Sequence, residues 1–195
     1  MDSRKRTLIL IAIILGAMLV SVMANLTITL IQDASHPVKY EEIVEKYASQ
    51  YNVPEYIVYA VINTESKFDP NSKSSDGALG LMQMTPDTFK YIASDEHLDE
   101  DTEFESLTDP ETSIRFGAYY LRYLFNEFKN WSAAYAAYDA GEAQVREWLS
   151  DPTYSKDGET LKKIPLAETK KYVSKTESAA DYYKDKYYRN GVSVK

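Results

Sequence analysis

A single glutamate, Glu65, stands at the end of an apolar run and is followed by a loop rich in serine, glycine and small polar residues. On a helix, residues three or four apart share a face, so the spacing predicts Glu65 to lie over Val61 and Ile62 and to point toward the core. A carboxyl group against apolar surface favours its neutral form, which raises its pKa and lets it donate a proton near neutral pH. The pattern predicts a general acid. The alternatives are a glutamate turned toward water or one satisfied by a buried partner.

Other common catalytic groups are scarce. The sequence contains no cysteine, which excludes disulfides, thiolate catalysis and cysteine-ligated zinc. Two isolated histidines, His36 and His97, do not form a metal site or a serine-histidine pair, and both are interpreted as surface residues. Asp69 and Asp76 follow Glu65 closely but are predicted to cap turns. The sequence thus predicts carboxylate chemistry without a metal or a cofactor.

The charge excludes some partners. The net charge is −8, and no stripe of lysine and arginine interrupts the acidic sequence. Such a chain lacks the electrostatic footprint of a nucleic-acid-binding protein and gains little from an anionic membrane surface.

The amino-terminal residues indicate a membrane segment. Arg4, Lys5 and Arg6 precede an apolar stretch that continues to Ile31. Its length exceeds the roughly 20 residues that a transmembrane helix needs, and the basic flank places the amino terminus in the cytoplasm. Residues 1–32 are therefore predicted to be a flank and a single-pass anchor, with the rest extracytoplasmic. A cleaved signal peptide with a site near Ala24 is the alternative, and it also exports the domain.

The remaining sequence predicts one all-α domain over residues 40–190, behind a polar linker at 33–39. Helical spacing begins near Tyr40, and the last helix begins near Pro165. One helix is interrupted at Gly141, and residues 151–163 are predicted to be a loop. Three helix starts are predicted from a capping box at Asn52 and Glu55 and from the pairs Thr85-Pro86 and Asp109-Pro110.

Several ordered motifs resemble one known family. They are ES-x-F-x-P from Glu65, followed by Ser74 and GALGLMQ, then AAYDAG at 136–141 and IPLAETKKYV at 164–173. Together they resemble the soluble lytic transglycosylases, which share a lysozyme-like fold with goose-type lysozymes. The resemblance covers residues 40–188, and several spaced blocks in order are a specific signal.

The resemblance implies cleavage of the β-1,4 bond between N-acetylmuramic acid and N-acetylglucosamine in peptidoglycan strands. Glu65 would protonate the leaving oxygen and then act as base while the muramoyl 6-hydroxyl attacks the anomeric carbon. The product is a 1,6-anhydro end, which makes the reaction a lyase reaction. The lack of an obvious second carboxylate fits assistance by the N-acetyl group. A monomeric catalytic domain is expected.

The same resemblance implies four substrate-binding residues. Ser74 corresponds to a serine near the N-acetyl group, and Gln83 corresponds to a glutamine that lines the cleft. Tyr138 corresponds to a tyrosine that holds the reacting centre, and Glu168 corresponds to the glutamate of the carboxy-terminal block.

Three positions depart from the family pattern. Asp139 replaces an asparagine, Lys170 replaces an arginine, and Thr85 stands where a methionine is common. An aspartate cannot donate the amide hydrogen bonds of an asparagine, and its charge would raise the pKa of Glu65 if it is close. A hydrolytic muramidase on the same fold and a glycan-binding scaffold without turnover remain the alternatives.

Overall fold

The computed structural model describes residues 3–94, 98, 102–189 and 192–193. His97 lies outside the described residues. The chain divides into two units, Met1–Pro37 and Val38–Lys195.

The first unit is one helix, α1 (Ser3–Ser35). It is long and apolar enough to cross a membrane, and its described apolar side chains are exposed. α1 continues through residues 33–35, which the sequence assigned to a linker, because no proline precedes Pro37 to end it. His36 directly follows α1 and is partly exposed.

The second unit is mainly helical, as the sequence predicts. Residues 188–189 pair antiparallel with residues 192–193, with Tyr188 opposite Ser193, and this pairing ends its described part. Each strand has only two residues, so the unit is mainly α as expected. The elements are α2 (Glu41–Tyr51), α3 (Glu55–Glu65), α4 (Pro86–Ala93), a 3₁₀ helix (Phe104–Thr108), α5 (Pro110–Phe128), α6 (Trp131–Ala140), α7 (Glu142–Ser150), α8 (Ala167–Tyr187), β1 (Tyr188–Arg189) and β2 (Val192–Ser193).

Helix α3 is the centre of this unit. Residues 57–64 are all buried, so α3 has no solvent face over this length, and its buried surface extends well beyond the side that Val61 and Ile62 share with Glu65. The cause is α8, which packs along α3 on a second side. There the ring of Tyr59 stacks on Tyr183 with centroids 5.4 Å apart. The burial of α3 fixes the position and direction of its last residue, Glu65.

Two of the three predicted helix caps are confirmed. The Thr85 side chain accepts a hydrogen bond from the Thr88 amide at 3.3 Å, and Asp109 Oδ2 accepts one from the Thr112 amide at 2.9 Å. In both helices a proline occupies the first turn, where its missing amide hydrogen is not needed.

The predicted capping box before α3 was wrong. Asn52 instead ends α2 in a left-handed conformation with φ of 52°, which asparagine tolerates better than most residues. Pro54 is the residue at the amino-terminal cap of α3, and no side chain caps it. The Glu55 carboxylate accepts a hydrogen bond from the Tyr188 hydroxyl at 2.7 Å instead of turning back to the helix start.

Candidate active site

Glu65 is the last residue of α3 and is mostly buried. Burial raises the pKa of its carboxyl group to about 7. A hydrogen bond from Tyr172 and the positive charge of Lys175 act in the opposite direction, whereas the negative charge of Asp139 adds to the rise. The expected rise in pKa is therefore present. A carboxyl group with this pKa is populated in both protonation states near neutral pH, as a group that is first acid and then base requires.

Helix α8 supplies two partners that the sequence reasoning did not name. The Tyr172 hydroxyl donates a hydrogen bond of 2.8 Å to Glu65 Oε1. Lys175 Nζ donates one of 2.8 Å to the main-chain oxygen of Thr64. A signal was available, since Tyr172 lies four residues after Glu168 in the motif ETKKYV and therefore on the same helix face.

Tyr138 reaches the site from α6. Its hydroxyl donates a hydrogen bond of 2.7 Å to the main-chain oxygen of Met82. Burial and the nearby charge of Glu65 raise the pKa of Tyr138 well above its ordinary value, so the hydroxyl keeps its proton. Because the hydroxyl donates its single proton to Met82, it can contact a substrate only as a hydrogen-bond acceptor.

The loop between α3 and α4 is held by side chains at its base. Ser66 Oγ donates to the main-chain oxygen of Leu81 at 2.8 Å, and the Met82 amide donates to Ser113 Oγ at 3.2 Å. Gly80 has a φ of +81°, and a β-carbon there would lie 2.0 Å from the main-chain oxygen of Leu107, so no other residue fits. The loop is thereby fixed against α5 and the 3₁₀ helix.

Ser74 and Gln83 both lie in this loop. Ser74 is exposed, and its Oγ accepts a hydrogen bond from the Ala78 amide at 3.0 Å, which leaves its proton available for a ligand. Gln83 Nε2 donates to the main-chain oxygens of Ser72 and Gly80, both at 2.9 Å. The amide oxygen of Gln83 therefore remains available to accept a hydrogen bond from a ligand. Within the described residues, neither side chain bonds to Glu65.

Glu168 lies in the first turn of α8 and is exposed. It borders a cavity of about 220 Å³ that is also lined by Thr64, Tyr172 and two lysines. Tyr172, which lines this cavity, also donates a hydrogen bond to Glu65, so Glu168 and Glu65 lie on either side of the same tyrosine.

The two aspartates near Glu65 in sequence are exposed. Asp69 Oδ1 accepts a hydrogen bond from the Asn71 amide at 3.0 Å and so caps a turn, as predicted. Asp76 Oδ1 accepts one from the neighbouring Ser75 hydroxyl at 3.3 Å. Asp139, exposed near the end of α6, is the carboxylate whose charge acts on Glu65. Across the described residues, no cluster of three or more acidic or histidine side chains could hold a metal ion.

Comparison with known proteins identifies the family. The model of the Transglycosylase SLT domain matches residues 42–161, more than half of the chain, and the protein belongs to this family. The match contains Glu65, Ser74, Gln83 and Tyr138, whereas Glu168 and Tyr172 lie beyond it.

Three known proteins illustrate the similarity. The soluble lytic murein transglycosylase of Escherichia coli (strain K12) is 33% identical over 150 residues, covering 76% of this chain and 23% of that protein. The membrane-bound lytic murein transglycosylase C of Yersinia pestis (strain Pestoides F) is 30% identical over 167 residues, covering 75% and 47%. The structure of an inactive mutant of lytic transglycosylase Slt from Pseudomonas aeruginosa matches with a TM-score of 0.69 at 32% identity, covering 77% and 25%. The chain thus spans about a quarter of the length of the soluble relatives.

Proposed function

We propose that this protein is a peptidoglycan lytic transglycosylase with Glu65 as its catalytic acid and base. The observation that carries the proposal is the position of Glu65, a mostly buried carboxyl group with a pKa of about 7 that accepts a hydrogen bond from Tyr172. The names of the relatives, which are murein transglycosylases, support the same activity. The substrate is the β-1,4 bond between N-acetylmuramic acid and N-acetylglucosamine.

In the first step, protonated Glu65 gives its proton to the glycosidic oxygen as the bond to the anomeric carbon breaks. The N-acetyl oxygen of the muramoyl residue stabilises that carbon from the opposite side, which replaces the second carboxylate of most glycosidases. In the second step, the Glu65 carboxylate takes the proton of the muramoyl 6-hydroxyl, whose oxygen bonds to the anomeric carbon. Glu65 ends protonated, no water is consumed, and a 1,6-anhydro end forms.

Four residues are assigned to the substrate in this proposal. Ser74 Oγ donates to the N-acetyl group, and the Gln83 amide oxygen accepts from the glycan. The Tyr138 hydroxyl positions the reacting sugar by accepting a hydrogen bond from it, since the hydroxyl donates its own proton to the main-chain oxygen of Met82. Glu168 accepts hydrogen bonds from the substrate at the start of α8.

Substitution of two carboxylates tests the catalytic assignment. Glu65→Gln keeps the size of the side chain but removes the proton, so release of soluble muropeptides from purified peptidoglycan should fall by about 10²–10⁴-fold. Asp76→Asn removes a nearby exposed carboxylate and should keep most activity. The full-length protein in detergent serves for both assays. Activity of Glu65→Gln near that of the wild type would refute the assignment.

We also propose that residues 1–32 anchor the protein by a single membrane crossing, with the amino terminus in the cytoplasm and the domain at 40–190 outside. Helix α1 has the required length and composition, and Arg4 lies before its apolar part. Carbonate extraction of host membranes should leave the full-mass protein in the pellet. A soluble protein shortened by the length of a signal peptide would replace the anchor with a cleaved export signal.

A further inference from the structure

A cavity of about 220 Å³ lies beside the catalytic glutamate, between the end of α3 and the first turns of α8. Thr64, Tyr172, Lys171 and Lys175 line it together with Glu168. Thr64 directly precedes Glu65, and Tyr172 donates to Glu65, so any group bound in this cavity lies next to the catalytic carboxyl. The mechanism above uses neither lysine.

The lysines bring positive charge to one place on an acidic protein. Burial lowers the pKa of Lys175, and the positive charges of Lys67 and Lys171 lower it further, whereas the negative charge of Glu65 raises it. Lys175 Nζ donates a hydrogen bond to the main-chain oxygen of Thr64. This carbonyl lies in the last turn of α3, where carbonyl groups have no partner within the helix. The Lys171 side chain is exposed and makes no hydrogen bond or ion pair within the described part of the chain. Glu168 brings one negative charge to the same cavity, so the two lysines leave its lining with a net positive charge while Glu65 is protonated.

A polar group of one of the residues that line the cavity lacks a partner. Thr64 is 8% exposed, and its hydroxyl has no hydrogen-bond partner among the residues that the structure describes. A buried hydroxyl without a partner costs about 1–3 kcal/mol. A threonine in a helix can usually donate to the carbonyl one turn earlier, which Thr64 does not do here. The hydroxyl oxygen is shielded by its surroundings, so a ligand in the cavity reaches it after a small shift of the neighbouring side chains.

We propose that Lys171, Lys175 and Thr64 form a subsite for a carboxylate carried by the muramoyl residue of the substrate. The lysine ammonium groups pair with the anion, and the Thr64 hydroxyl donates a hydrogen bond to it. In peptidoglycan this carboxylate belongs to the peptide branch, or to the lactyl group where the peptide has been removed. The subsite rests on the proposed function, because it names a part of the same substrate.

Binding to an uncleaved ligand tests the subsite. Full-length Glu65→Gln in detergent is titrated with three oligosaccharides of equal length: a peptide-bearing muramoyl oligomer, the same oligomer stripped to its lactyl carboxylates, and an N-acetylglucosamine oligomer without carboxylates. Adding Lys171→Gln should weaken binding of a carboxylate ligand about 10-fold and leave the N-acetylglucosamine oligomer unchanged. A loss for the peptide-bearing oligomer alone identifies the peptide carboxylate, and a loss for the stripped oligomer identifies the lactyl carboxylate.

Two further variants separate the subsite from general charge and from folding. Lys170→Gln removes a neighbouring exposed lysine that does not line the cavity, and it should change binding much less than Lys171→Gln. Thr64→Val keeps the shape but removes the unpaired hydroxyl, so it should weaken carboxylate binding without lowering the melting temperature. Equal effects of the two lysine variants, or equal losses for all three oligosaccharides, would overturn the subsite. The absence of 1,6-anhydro products from the wild type would instead refute the proposed function, which this binding assay does not measure.

Discussion

The Tyr172 hydroxyl and the Glu65 carboxylate are joined by a hydrogen bond of 2.8 Å between residues 107 positions apart in sequence. The bond stabilises the charged form of Glu65 and holds the carboxyl group in one orientation. Burial acts more strongly in the other direction, so the pKa of Glu65 is still raised to about 7. The two effects together set the pH at which the site can donate a proton.

Removing this bond should move the pH profile of the proposed activity. Tyr172→Phe takes away a stabilising donor, so the pKa of Glu65 rises and the acid stays protonated to higher pH. The basic limb of kcat/KM should shift upward by about 1 pH unit, since a hydrogen bond to a charged group contributes at least roughly 1.5 kcal/mol. The pH dependence of muropeptide release measures it. An unchanged basic limb in a variant that melts like the wild type would show that Tyr172 does not tune Glu65.

The departure at Asp139 predicts a shift in the opposite direction. Its negative charge raises the pKa of Glu65, so Asp139→Asn should lower that pKa and move the basic limb of kcat/KM to lower pH. Because Asp139 is exposed, the shift should be below about 1 unit and should shrink with added salt. Asp87→Asn removes an exposed carboxylate on α4 and is the control. Equal shifts in the two variants would indicate net charge instead of proximity.

The raised pKa of Glu65 also predicts how stability depends on pH. The folded protein keeps the Glu65 proton up to about pH 7, whereas the unfolded chain releases it near 4.5. The free energy of unfolding of the wild type should therefore fall relative to Glu65→Gln as the pH rises from about 4.5 to 7, by an amount on the order of 3 kcal/mol. Above this window the difference should be constant. Denaturant unfolding of both proteins at several pH values measures it, and a pH-independent difference would contradict the raised pKa.

A close contact supports the loop beneath Tyr138. A β-carbon at Gly117 in α5 would lie 2.2 Å from Met82 Sδ, so Gly117→Ala should displace Met82 and cost about 1–3 kcal/mol of stability. Activity should fall as well, because the Met82 oxygen holds the Tyr138 hydroxyl. The double variant Gly117→Ala, Met82→Ala removes the two nearest Met82 atoms and leaves only its β-carbon, 2.9 Å away, so its loss should be smaller than the sum of the single losses. Additive losses in thermal melts would show that the two side chains do not compete for space.

Local patterns in the sequence predict those features of this site that are set by residues close to one another in the chain. The caps at Thr85 and Asp109 and the inward position of Glu65 follow from helix spacing and from the residue types at helix starts. The bond from Tyr172 does not, because the spacing from Glu168 places Tyr172 on the same helix face but does not show how α8 packs along α3. The capping box at Asn52 failed for a related reason, since the same residue can end one helix or begin the next.

The side chains of the loop show the same limit. The sequence identifies Gln83 and Tyr138 as site residues through the family motifs. It does not show that both side chains donate their hydrogen bonds to main-chain oxygens. Those bonds require the folded path of the chain between Ser72 and Met82. The site assignments stay predictions until substitution tests them.

The origin of the atoms in the product tests the central claim most directly. The wild-type protein is incubated with purified peptidoglycan in heavy-oxygen water, and the released fragments are identified by mass spectrometry. The account predicts 1,6-anhydromuramoyl ends that are lighter by one water than hydrolytic ends and carry no heavy oxygen, together with almost no release by Glu65→Gln. Reducing ends that contain heavy oxygen would mean that water attacks the anomeric carbon, and the hydrolytic muramidase would then replace the lytic transglycosylase.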